Sequence, residues 1–182
     1  MDSFGRLQGE TLRAAIYATD RGNPLVDLGA YCLMPNHFHL LLAEHAEGGI
    51  SRFMQKVTTA YTMYFNKRHK HSGVLLQGVF KSSHAHEDRY LKYLVSYMHL
   101  NPMKLIDSHW KENGIRDRKA ADDFLSGYRY SSYTDYLGKQ RIESALLNKK
   151  TLLDLYDIPA DINASIAEWL SCGDGDEDRL IQ

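Results

Sequence analysis

Two histidines, His37 and His39, stand one residue apart in the stretch MPNHFHLLL, Met34 to Leu42. On a β-strand side chains alternate faces, so His37, His39 and Leu41 share one face and Phe38, Leu40 and Leu42 the other. Two imidazoles aimed at one spot can share a divalent metal ion or a phosphate through their Nε2 atoms. The opposite, apolar face is free to pack into a core. A single buried histidine is ordinarily a hydrogen-bonded core residue; a pair on one strand face is less common. Several familiar chemistries need more than this pair. A histidine-triad nucleotide hydrolase needs a third histidine where Leu41 stands. A zinc protease places its histidines at helical i, i+4 spacing. A structural zinc site needs four ligands, usually with cysteines, yet Cys32 and Cys172 lie far apart and outside any CxxC pair. What remains is a two-histidine site completed by a third ligand from elsewhere.

A later segment supplies candidates. Asp88 is a helix cap, and RYLKYLVSYMHL after it has helical periodicity up to Asn101, where Pro102 should end the helix. Leu91, Leu94, Val95 and Met98 make an apolar face. Tyr90, Tyr93, Tyr97 and Asn101 make a neighbouring stripe, on which Tyr97 and Asn101 are i, i+4 partners. A phenol and an amide so placed could serve as nucleophile and third metal ligand. Tyrosines flanking a core face are also ordinary amphipathic packing, and spacing alone favours that reading.

Other elements must position these groups. Leu25–Leu33 reads as one strand and His37–Ala43 as a second, with MPN as the break between them. Ile50–Arg68 is the clearest helix, with Ile50, Phe53, Met54, Val57, Tyr61, Tyr64 and Phe65 at i, i+3, i+4, i+7 spacing and Tyr61 and Tyr64 expected in the core. Residues 74–86 read as extended. A weak helical pattern covers 4–18, two short helices fall in 143–171, and the acidic end, GDGDEDRLIQ, reads as disordered. Strands and helices mixed in this order predict an α+β fold. The 182 residues fit one domain, here 1–138, with a short helical extension at 139–182.

The net charge of −1 argues weakly against nucleic acid, but its distribution does not. From Gly48 to His86 there is no Asp or Glu, while Arg52, Lys56, Lys67, Arg68, Lys70 and Lys81 are all present. These are candidate phosphate contacts, although such a run is often only a solvated helix face. His84 and His86 alternate onto one face and could line the same path. No apolar run is long enough to span a membrane, and no signal peptide is read, so a cytoplasmic protein with reduced thiols is expected.

Taken together, YCLMPNHFHLLL and GVFKSSHAHEDRYLKYLVSYMHLNPMKL resemble the HUH-type single-tyrosine transposases of bacterial insertion sequences. The LNP ending and the later YSSYTDYLG resemble most closely the REP-associated tyrosine transposase group, over roughly residues 25–138. The resemblance implies a ferredoxin-like or RRM-like antiparallel sheet with helices packed on it. It implies His37, His39 and Asn101 as ligands of Mg²⁺ or Mn²⁺ and Tyr97 as the catalytic nucleophile. It also implies a substrate, single-stranded DNA with a palindromic hairpin, cut through a 5′-phosphotyrosine intermediate, and it admits a homodimer. The family pattern opens with a strand and an Arg-containing turn before the position of Leu25. Here 1–18 reads as helix, so the first strand is expected to be missing. Two alternatives stay open: a truncated or domesticated relative that binds hairpin DNA without cutting it, and a metal-dependent hydrolase using the histidines and water without Tyr97.

Overall fold

The computed structural model describes residues 9–20, 22–85 and 88–150. The chain order is α1 (Gly9–Ala18), β1 (Val26–Leu33), β2 (Phe38–Glu44), α2 (Gly49–His69), α3 (Asp88–Leu100), a 3₁₀ helix (Asn101–Leu105), α4 (Trp110–Asn113), α5 (Arg118–Gly127), α6 (Tyr133–Tyr136) and a second 3₁₀ helix (Ile142–Leu146). This is an α+β fold, and among the described residues its sheet has two antiparallel strands. The predicted extended segment forms no strand at 74–85. His86, Cys172, the acidic end and most of the C-terminal extension lie outside the described residues. Among the described residues no helix is long and apolar enough to cross a membrane.

The two strands join through the Pro35 break, closed by the Met34 N–H donating to the His37 carbonyl at 2.8 Å. Pairing sets Cys32 opposite His39 and Leu33 opposite Phe38, with one register shift between Leu28 and Ala30. The second edge of β1 is covered by residues 128–136, a stretch of tyrosines and small polar residues. Leu33 N–H donates to Tyr130 at 2.8 Å and Ser132 N–H to Tyr31 at 2.9 Å. The Tyr136 and Tyr128 hydroxyls donate to the carbonyls of Gly29 and Leu33 at 2.8 and 2.7 Å. Pairing on both edges makes β1 the central element and explains why Ala30, Tyr31 and Cys32 are buried. Burial pushes the Cys32 thiol up to about 12, so it stays an inert packing group.

A buried ion pair fixes this covering segment. Asp135 is fully buried against Arg141, whose guanidinium also donates to the Tyr31 hydroxyl at 2.8 Å and to the Arg129 carbonyl at 2.7 Å. Several donors and acceptors meet the pair, which is what a buried charge pair needs to repay desolvation.

The main core is formed by Leu91 and Val95 of α3 with Leu100, Met103, Trp110, Ala121, Leu125 and Tyr133. From the sheet, Leu41 packs against it. Leu41 shares the face of His37 and His39, so the histidine face also feeds the core. Phe38, Leu40 and Leu42 on the other face are half-buried, as Leu41 is.

Helix α2 departs further from expectation. Of its predicted apolar stripe only Met54 is buried, whereas Tyr61 is 50% and Tyr64 59% exposed. A helix of 21 residues runs about 30 Å. Two strands spaced about 4.8 Å apart are too narrow to cover that length. Its first turn, in contrast, is tightly held. Gly48 adopts φ +74°, and a Cβ on Gly49 would lie 2.5 Å from the Leu25 carbonyl oxygen.

Helix α3 is tied to β1 by one hydroxyl. Ser132 Oγ accepts from the Tyr31 N–H at 2.9 Å, lies 2.8 Å from His99 Nε2, and donates to the Tyr31 carbonyl at 3.1 Å. An Nε2–H tautomer of His99 satisfies every bond of this node. It leaves only Nδ1, as a bare acceptor, without a partner. Complete burial, partly offset by the Asp135 charge, pushes His99 down to about 3.

Two outcomes follow from this packing. Gly49→Ala must displace backbone and should cost about 1–3 kcal/mol in urea denaturation. A neutral, buried His99 takes up its proton only on unfolding, so it leaves stability intact above about pH 6.5. Stability should fall as pH drops from there toward about 3, with a slope of up to about 1.4 kcal/mol per pH unit. Denaturation of His99→Gln against pH should lack that contribution.

Candidate active site

The hairpin carries the two histidines to its closed end, and α3 lays its tyrosine stripe across the same face. His37 and His39 have ring centroids 5.0 Å apart at 89°. The Tyr97 ring stands 6.2 Å from that of His39 at 79°. The structure therefore brings together three of the four residues singled out for chemistry. The fourth, Asn101, opens the 3₁₀ helix one turn beyond Tyr97 and is fully buried. The break expected at Pro102 is real: α3 ends at Leu100 and the chain tightens into the 3₁₀ helix.

Three features suit these side chains to a divalent ion. His37 Nδ1 lies 2.7 Å from Asn36 Oδ1, an acceptor only, so Nδ1 carries the proton and Nε2 keeps its lone pair. His39 Nε2 is buried without a hydrogen-bond partner. Burial first, then His37 and Lys104, lower its pKa and hold it neutral, as a ligand must be. Both polar atoms of the Asn101 side chain are likewise buried and unpartnered, which costs about 1–3 kcal/mol for each group so left. Among the described residues no three His, Cys, Asp or Glu side chains lie close enough to hold an ion. Any third protein donor would therefore be of another kind, and an amide oxygen such as that of Asn101 is chemically suited to the role. These orphaned donors fit a metal.

The stripe behind Tyr97 is a ladder of rings. Tyr90 and Tyr93 stack at 6.4 Å and 13°, Tyr93 and Tyr97 at 6.0 Å and 11°. Tyr93 is buried while Tyr97 is half-buried. The helix thus grips the lower part of the ladder and presents its end to the histidines.

The basic candidates are placed differently. Arg52, Lys56, Lys67, Arg68, Lys70 and Lys81 are all exposed, five along α2 or at its end and Lys81 in the segment that follows. None is among the ring and cation contacts of Tyr97. Those on α2 share it with exposed Tyr61, Met63 and Tyr64. His84 is exposed.

Sequence reasoning missed three residues here. Asn36, which sets the tautomer of His37, is next to it in MPNH and was legible as a neighbouring donor and acceptor. Lys104 Nζ lies 5.8 Å from the Tyr97 ring centroid and Lys111 Nζ only 4.3 Å from it. Lys104 lies beyond the break at Pro102, so the helical period of α3 gave no signal for it. Lys111 had no local signal, because a turn of chain brings it back.

Residues 14–103 match the family model described as Transposase IS200 like. The match spans His37, His39, Tyr97 and Asn101 and ends before Lys104. No curated protein and no solved structure matches the chain.

Proposed function

We propose that this chain, whose residues 14–103 make it a member of the IS200-like transposase family, cuts and rejoins single-stranded DNA through a covalent bond to Tyr97. The family supplies DNA transposition as the broad activity. The observation that carries the finer reading is the convergence of the Tyr97 ring on His39, whose Nε2 is buried and unpartnered, as is the Asn101 amide one turn further along the chain.

His37, His39 and Asn101 would hold Mg²⁺ or Mn²⁺, and a divalent ion there supplies Lewis-acid polarisation of a non-bridging phosphate oxygen. All three ligands are neutral, so none cancels charge at the phosphate. Tyr97 Oη is the nucleophile. Its bond to phosphorus replaces the bond to the 3′ oxygen, giving a 5′-phosphotyrosine and a free 3′-hydroxyl. The phosphotyrosine conserves bond energy, so a 3′-hydroxyl can reverse the step and join strands without ATP. Stacking on Tyr93 holds the Tyr97 ring at a fixed angle and limits the entropy lost on attack.

The DNA path runs along α2. Arg52, Lys56, Lys67, Arg68, Lys70 and Lys81 contact phosphates, and the exposed rings of Tyr61 and Tyr64 offer stacking faces to unpaired bases. The LNP and YSSYTDYLG motifs support a place in the REP-associated group, and with it a palindromic hairpin as substrate.

Incubated with labelled hairpin-bearing single-stranded DNA and Mn²⁺, the protein should give a covalent protein–DNA band that Tyr97→Phe abolishes. Hairpin binding with no band under either metal would leave a non-cutting DNA-binding relative. Cleavage surviving in Tyr97→Phe would point to hydrolysis by water. Asn36→Ala frees the His37 ring and should weaken Mn²⁺ binding about tenfold in an electron paramagnetic resonance titration. Equal affinity would remove Asn36 from the site.

A further inference from the structure

We propose that Lys104 is a catalytic residue whose ammonium holds a non-bridging oxygen of the scissile phosphodiester beside Tyr97, an inference that rests on the reading of Tyr97 as nucleophile. Three observations bring its charge to the reacting groups. Lys104 Nζ lies 5.8 Å from the centroid of the Tyr97 ring. Lys104 and Asn101 share the 3₁₀ helix Asn101–Leu105, in which side chains at i and i+3 eclipse one another. Lys104 thus follows Asn101 along one side of that helix, the amide buried and the lysine exposed. Its charge also reaches His39: after burial and His37, it helps to hold that imidazole below its usual pKa. Lys111 Nζ approaches the same ring, at 4.3 Å, but has a further partner of its own, so the phosphate is assigned to Lys104 alone.

A cation in this place calls for an anion. Among the described residues no carboxylate pairs with Lys104. An ammonium over an aromatic ring gains only about 0.5–1 kcal/mol at an exposed site. It also repels any second positive charge brought to the neighbouring His39. A phosphodiester removes that conflict. It has two non-bridging oxygens, so one can face the ligand set while the other meets Lys104.

The local fold holds the base of the side chain and leaves its tip free. Asn101, Pro102 and Met103 are buried just before it. The Met103 carbonyl accepts from the Ile106 and Asp107 N–H groups at 3.0 and 2.8 Å, which closes the backbone around Lys104. The flexible four-carbon stem then lets a compact ammonium settle on an incoming strand.

In the reaction the Tyr97 Oη–phosphorus bond forms as the phosphorus–O3′ bond breaks. The bonding pair leaves with O3′, which ends with the proton that the phenol gives up. Lys104 neither gains nor loses a proton. Its charge offsets the negative charge that builds on the non-bridging oxygens as phosphorus takes on its fifth bond.

The test uses the full chain and a pool of hairpin oligonucleotides with randomised single-stranded flanks. With Mn²⁺ present, Lys104→Met should slow covalent adduct formation about 100-fold in a single turnover. In metal-free buffer, where no cutting intervenes, it should lower the log–log salt slope of DNA binding by about 0.7. Lys104→Arg should keep the slope and most of the rate, and circular dichroism confirms that each variant is folded. A folded Met variant with wild-type rate overturns the proposal, whatever its slope, since the lysine would then act away from the cut. A slow Met variant with unchanged slope also overturns it, because Lys104 would then only support the Tyr97 ring. If the wild-type chain itself forms no adduct, the reading of Tyr97 fails and this role falls with it, whereas wild-type cutting with an unaffected Met variant removes Lys104 alone.

Discussion

The join between the nucleophile helix and the sheet runs through the Ser132 hydroxyl. It receives the Tyr31 N–H from the middle of β1 and meets the buried His99 ring, two residues beyond Tyr97. A small side chain with one donor and two lone pairs is needed at that point. Because His99 is neutral, it can be buried completely without a counter-ion, so α3 can sit flush against β1. The register of β1 against β2 then carries His39 to a set height relative to Tyr97. Movement at the node would reach Tyr97 and Asn101 directly, since they flank His99 on the same short stretch of chain.

The same logic explains why a segment without periodicity matters. YSSYTDYLG follows no helical or strand period. Its Tyr136 hydroxyl and Ser132, with Tyr128 just ahead of it, are spent on the free edge of β1, where a strand would otherwise spend backbone groups. Asp135 and Arg141 lock it from behind. An open strand edge invites pairing with other chains, and this covering is how the structure protects its central strand.

The α+β class, both strands, α2 and α3, and the helix break at Pro102 were all legible, because period and proline act locally. The meeting of His37, His39 and Tyr97 was legible only through the combination of motifs, since no local rule joins a hairpin to a helix so far along the chain. What misled was burial. The i, i+3, i+4 stripe of α2 was read as a core face, but a stripe shows only which residues are coplanar with each other. Whether anything lies against them depends on the width of the sheet, which periodicity does not encode. The faces of β2 were separated by alternation, which does not say how deeply either is buried, and both are half-buried.

The proposed chemistry asks the site for direction before charge. The histidines sit on a hydrogen-bonded hairpin and carry no net charge as ligands, so they supply direction. Lys104 bears on that set, since after burial and His37 its charge helps to lower His39, which keeps the imidazole neutral and its lone pair available. Tyr97 is stacked on the buried Tyr93 and meets His39 edge-on, so nucleophile and ligands are held by two different elements, α3 and the hairpin. A near-zero net charge is compatible with such a site, because a local field is set by the groups nearest to it rather than by the total over the chain.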